Sequence, residues 1–163
     1  MGERALVVVP DLSDGYCLCY CSQWAGSDST LRRVLESGQS VDELLTHDWR
    51  FERRCRTGQV LDSLDFLGTD AVYRFWGREV DVFIPLWFGI AVPEHTERAD
   101  IGALVPVRSF TTVEHCREAL RQFKGPVLDS VRDGTMPSDL ATTLLERACH
   151  LVRAGCPQTC PTV

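Results

Sequence analysis

Lysine is all but missing from this 163-residue chain: 16 of its 17 basic residues are arginine, and Lys124 is the exception. Arginine in place of lysine at that ratio reflects a GC-rich genome more readily than a binding need. Long apolar runs are missing too. The longest nearly uninterrupted one, Val82 to Val92, falls far short of the ~20 residues a helix needs to cross a bilayer. Positive charge is in deficit: a formal net charge of −6 and a pI near 5.2 argue against general attraction to nucleic acid or an anionic membrane. The opening Met-Gly-Glu-Arg and the short apolar stretch behind it lack a small-residue cleavage site, so no signal peptide is expected and the cytoplasm is the expected compartment.

Recognised catalytic signatures are also lacking. There is no G-x-x-x-x-G-K-[ST], G-x-G-x-x-G or H-E-x-x-H. His47, His95, His115 and His150 lie in no G-x-S-x-G or Cys-His pattern. Asp62 and Asp65, three apart, read as the wet face of a helix rather than an acid–base pair. Asp11, Ser13 and Gly15 resemble a calcium loop only faintly, because an EF-hand would need a glutamate where Ser22 stands. These absences lower the case for a hydrolase or thiol enzyme without removing it, since catalytic groups need only meet in space.

What is present is a globular composition, 44% hydrophobic and 25% charged, in a length that suits one domain. Such a domain buries roughly 70% of the surface its unfolded chain exposes, so its core needs no disulfide staples. The eight cysteines, Cys17, Cys19, Cys21, Cys55, Cys116, Cys149, Cys156 and Cys160, are therefore expected as reduced thiols that mostly fill core positions. Structural zinc is the alternative. Cys17, Cys19 and Cys21 alternate and point to one face of a strand, and Cys156 and Cys160 would complete a site if the tail folded back. Alternate strand residues lie about 6.5–7 Å apart, so at most two of the first three are expected to share an ion. A redox role for Cys156 and Cys160 is disfavoured, because C-x-x-x-C after a helix C-terminus lacks the thioredoxin spacing and dipole.

Periodicity organises the chain as follows. Ala5 to Pro10 and Tyr16 to Ser22 read as a hairpin around Asp11–Gly15. A helix from Thr30 carries Leu31, Val34 and Leu35 and stops at Gly38. Ser40 and Glu43 form a capping box for a helix running towards Trp49 with Val41, Leu44 and Leu45 inward. A short helix is expected over Val60, Leu61, Leu64 and Leu67. Ala71 to Trp76 and Glu79 to Ile84 flank Gly77-Arg78, a Gly-X pair suited to a type II′ turn. Pro85 predicts a bulge or an edge, Pro93 to Asp100 a loop, and Ala103 to Phe110 a last strand with Pro106 at an edge or break. A helix capped by Thr111 and Glu114 ends at Gly125-Pro126, a shorter one carries Val127, Leu128 and Val131, and a closing one buries Leu140, Leu144, Ala148 and Leu151. The expected fold is a single α+β domain over 1–163, with 156–163 a short tail. Its antiparallel sheet is covered on one face by helices, and its C-terminal third is helical.

Ser22-Gln23-Trp24-Ala25-Gly26, Leu64-Asp65-Phe66 and Leu86-Trp87-Phe88-Gly89 carry a resemblance. So do the opening Met-Gly-x-Arg-Ala-Leu-Val and the Asp14-Gly15-Tyr16 turn. Over about the first 90 residues the chain resembles an uncharacterised family of small haloarchaeal proteins, a domain of unknown function. A histidine is expected where Gln23 stands, so no role for it carries over. The resemblance implies a provenance and no activity, and a virus-encoded virion component of a halophilic host shares the same composition.

Arg50, Arg53, Arg54 and Arg56, beside Trp49 and Phe51, form the surface stretch best suited to an anionic partner. Asp48 and Glu52 are interleaved, so a solvated helix end with local ion pairs is the competing reading. The resulting expectation is a non-enzymatic binding or assembly module with a protein partner, no membrane association and no cofactor unless zinc.

Overall fold

In the computed structural model, residues 3–11, 15–38, 40–90 and 101–155 are described. Six strands form one sheet: β1 (Ala5–Pro10), β2 (Tyr16–Ser22), β3 (Arg50–Arg56), β4 (Ala71–Trp76), β5 (Glu79–Trp87) and β6 (Gly102–Val107). Their order across the sheet is β3-β2-β1-β4-β5-β6. All neighbours are antiparallel except β1 and β4, which run parallel with Ala5 opposite Ala71. Three helices complete the α+β fold: α1 (Asp28–Glu36), α2 (Phe110–Arg132) and α3 (Ser138–Gly155).

Strand alternation creates two dry layers. Ala5, Val7, Tyr73, Val82, Ile84 and Val105 point to the face that the helices cover with Leu31, Val34, Val113, Cys116, Ala141 and Leu145. Leu6, Val8, Cys17, Cys19 and Val72 point to the other face, where Val60, Leu64 and Phe66 close over them. Tyr73, fully buried, donates its hydroxyl hydrogen bond to the Ala25 carbonyl at 2.7 Å and so ties the strand to the loop before α1. Gly26 is required there, because a Cβ would stand 2.3 Å from the Arg4 carbonyl oxygen. The resembling motifs thus include backbone anchors of the fold.

Prolines sit where the sheet tolerates them. Pro85 pairs with Leu104 of β6, beyond the end of the β4 pairing at Phe83, and Pro106 lies in the edge strand β6. No helix among the described residues is long and apolar enough to cross a membrane.

Several expected elements differ. Ser40 caps only a single 3-10 turn, Val41–Glu43, after which Leu44 is buried and Leu45 exposed. The Val60–Leu67 stretch is not a helix but a run of turns after the 3-10 turn Thr57–Gln59. The cap of α2 is Ser109, whose side chain accepts from the Thr112 amide. The same helix continues through Pro126 to Arg132. Proline there removes one helical hydrogen bond, but Leu120, Val127, Leu128 and Val131 hold the apolar stripe against the core on both sides of it. In α3 the buried stripe is Ala141, Leu145 and Cys149, one position beyond the expected one, and Leu140, Leu144 and Leu151 are exposed. The Pro93–Asp100 loop, the centre of the first turn and the 156–163 tail lie outside the described residues.

Candidate functional site

The β2–β3 end of the sheet gathers most of the side chains with chemistry. Arg50–Arg56, expected as a helix end, is the edge strand β3. Its pairing with β2 sets Cys17 opposite Cys55 and Cys19 opposite Arg53. A register shift between Cys19 and Tyr20 then brings Tyr20 opposite Phe51. Strand pairing overrides the local charge pattern that suggested a solvated helix.

One face of this end is a thiol cluster. Cys17 and Cys19 are buried and Cys55 is half-buried. The Cys55 sulfur stands 3.7 Å from that of Cys17 and 3.8 Å from that of Cys19, and all three lie within 4.8 Å of one another. Cys17 also donates to the Cys55 carbonyl at 3.6 Å. Burial, then the neighbouring Cys55 thiol, pushes the Cys17 thiol up and the Cys19 thiol to about 12, while the Arg53 guanidinium opposes both shifts. Arg53 bonds Glu52 through Nη1, and its buried Nε has no hydrogen-bond partner among the described residues. A cleft of about 40 Å³ adjoins this face, lined by Arg4, Cys21, Arg53, Leu64 and Asp65 among others. That is room for about one water.

Of the expected zinc ligands, the structure brings Cys17 and Cys19 together and leaves Cys21 outside the cluster. Cys156 and Cys160 lie outside the described residues. Cys55 was missed as a ligand because the reading of its segment as helical hid the partner it faces. All six described cysteines are unbridged.

The opposite face carries arginine and aromatic groups. The Arg54 guanidinium lies 4.1 Å from the Tyr16 ring centre and that of Arg56 lies 6.0 Å away. Tyr20 and Phe51 meet edge to face at 5.6 Å, with Phe51 mostly exposed. Arg54 also pairs with Asp11 at 2.5 Å. The expected arginine cluster is therefore divided: Arg54 and Arg56 face this way, Arg53 faces the thiols, and Arg50 pairs with Asp48 at 3.5 Å. Trp49 leaves the patch altogether. Its ring packs edge-on to Tyr73 and its Nε1 donates to the Leu44 carbonyl at 2.8 Å.

Among the described histidines, the half-buried His47 approaches the Thr30 hydroxyl at 3.4 Å and stacks edge-on to Trp49. Burial, reinforced by Arg33, lowers its affinity for a proton. No protein-family model, curated protein or solved structure matches this chain.

Proposed function

We propose that the protein is a non-enzymatic binding module that docks an acidic, extended protein segment along β3. The observation that carries this reading is the β3 edge itself. It is an outermost strand, and it presents Arg54 and Arg56 laid over Tyr16 beside the exposed Phe51 ring. An edge strand offers unpaired backbone donors and acceptors to an added strand, and guanidinium groups supply bidentate contacts to carboxylates. Extended polypeptide fits better than nucleic acid, because Asp11, Asp48 and Glu52 interleave with the arginines and the chain is acidic overall. Unbridged thiols suit a reducing cytoplasm, and in a halophilic host of the kind the resemblance implies, salt would screen the charges and leave the strand pairing to hold the contact.

The test is amide chemical-shift mapping of the labelled protein with a short glutamate-rich peptide, a serine peptide of equal length and oligo(dT). Shifts confined to β2 and β3 with the glutamate peptide are expected. In the Arg54→Glu/Arg56→Glu double variant its affinity should fall by about tenfold or more. Absence of shifts on β3, or a stronger response to oligo(dT), overturns the reading.

A further inference from the structure

The face of β2 and β3 turned away from the arginine–aromatic surface supports a second, independent site. We propose that Cys17, Cys19 and Cys55 bind a divalent thiophilic metal ion of the zinc class as three thiolates. A triangle with edges of 3.7 Å, 3.8 Å and at most 4.8 Å has its centre about 2.4 Å or less from every corner. Zinc–sulfur bonds are about 2.3 Å long, so an ion reaches all three sulfurs without moving either strand. The two strands are already fixed by their ladder, with Cys17 opposite Cys55, so little ordering remains to be done on binding.

The surroundings select the ion. Sulfur-only donors favour soft ions over calcium or magnesium. Three thiolates with a divalent ion leave one negative charge, and with a monovalent ion two. Arg53, directly across the ladder from Cys19, holds a buried Nε with no partner among the described residues. A thiolate is a natural acceptor for that Nε–H, and because Glu52 already pairs with Arg53 through Nη1, the divalent complex, with the smaller residual charge, is the less costly one to bury. Leu64, Phe66, Val60 and Val8 wall the cluster on the inner side. Only Cys55 is half-buried, so solvent and the incoming ion reach the cluster from its side. Three protein donors leave a tetrahedral ion one position short, and water or an external ligand can enter it there.

The site differs from the one suggested by sequence in a way that can be tested. The full chain, reduced and stripped of metal, is titrated with Co²⁺ and then with Zn²⁺. One equivalent of Co²⁺ should give a thiolate-to-cobalt charge-transfer band of three-sulfur intensity, and one equivalent of Zn²⁺ should abolish it. Cys55→Ser should weaken binding by at least about tenfold and reduce the band, whereas the Cys156→Ser/Cys160→Ser double variant should leave both unchanged. A second measurement needs no variant: Zn²⁺ should protect Cys55 from alkylation, read by mass spectrometry, and should leave Cys21 reactive. No band in the unmodified protein, a band retained in Cys55→Ser, loss of the band in the tail double variant, or equal protection of Cys21 and Cys55 overturns the assignment.

Discussion

The two faces of the sheet are closed by different means. One is covered by three helices whose inward residues repeat at helical spacing and form the larger core. The other is closed by residues 57–69, which contain one 3-10 turn and no helix. Each face buries two thiols, Cys116 and Cys149 under the helices and Cys17 and Cys19 under this segment, and the second pair has a third, half-buried thiol, Cys55, at 3.7 and 3.8 Å. Regular elements pack aliphatic side chains densely and resist local opening, whereas an irregular cover opens more readily. The proposed ion site lies under the irregular cover, where entry needs the smaller rearrangement.

The sharpest way to break this contrast is to delete equal side chains on each side. Leu145→Ala, in the helix-covered core, should cost about 2–5 kcal/mol of unfolding free energy. Leu64→Ala, under the irregular segment, should cost less because that segment can collapse onto the gap. Urea midpoints of the two variants decide it, and equal losses would mean the two faces are equally rigid.

A smaller effect isolates the helix-covered face without leaving a large void. Burial and the neighbouring Cys116 push the Cys149 thiol from 9.0 to about 11 in the folded chain. A raised folded value means that this contribution is complete below about pH 9 and is lost as pH climbs towards 11. Urea midpoints should fall across that window, and Cys149→Val should flatten part of the fall. An unchanged profile in the variant would show that this thiol is not sealed from water by the helices.

The smallest change concerns the surface. The Arg54–Asp11 pair is partly exposed, so Asp11→Asn should shift stability by less than about 1 kcal/mol. A larger shift in thermal melting would make the first hairpin, rather than the strand ladder, the support of the β3 edge.

The contrast between the faces also explains what could be read beforehand. β1 and β2 were legible to the residue, and β4 to β6 closely, because alternation or continuous β-branched runs dictate extended chain. The spacing of Leu31, Val34 and Leu35 and the stop at Gly38, at φ +76°, marked α1, which begins two residues earlier than expected, at Asp28 behind the unread Ser27 cap. β3 was not legible, since Arg-Phe-Glu-Arg-Arg-Cys-Arg has too few apolar residues to alternate and owes its strand conformation to β2. With β3 misread, Cys55 could not be placed across from Cys17. Of Val60, Leu61, Leu64 and Leu67, expected together on a helix, Val60 and Leu64 are buried and Leu61 and Leu67 exposed, because turns rather than a helix deliver them. Pro126 misled for the opposite reason, because tertiary packing on both sides of it outweighs one lost hydrogen bond.

The single parallel pairing, β1 against β4, divides the sheet into two antiparallel ribbons, β3-β2-β1 and β4-β5-β6. Within each ribbon, neighbouring strands follow one another along the chain: β1–β2 and β4–β5 close over short connections, β2–β3 over the longer stretch that carries α1. The seam between them joins Ala5 to Ala71 and must close over everything in between. Loop-closure entropy makes that the most demanding pairing in the sheet. The seam is thus the pairing expected to form last, with Val7 opposite Tyr73 across it.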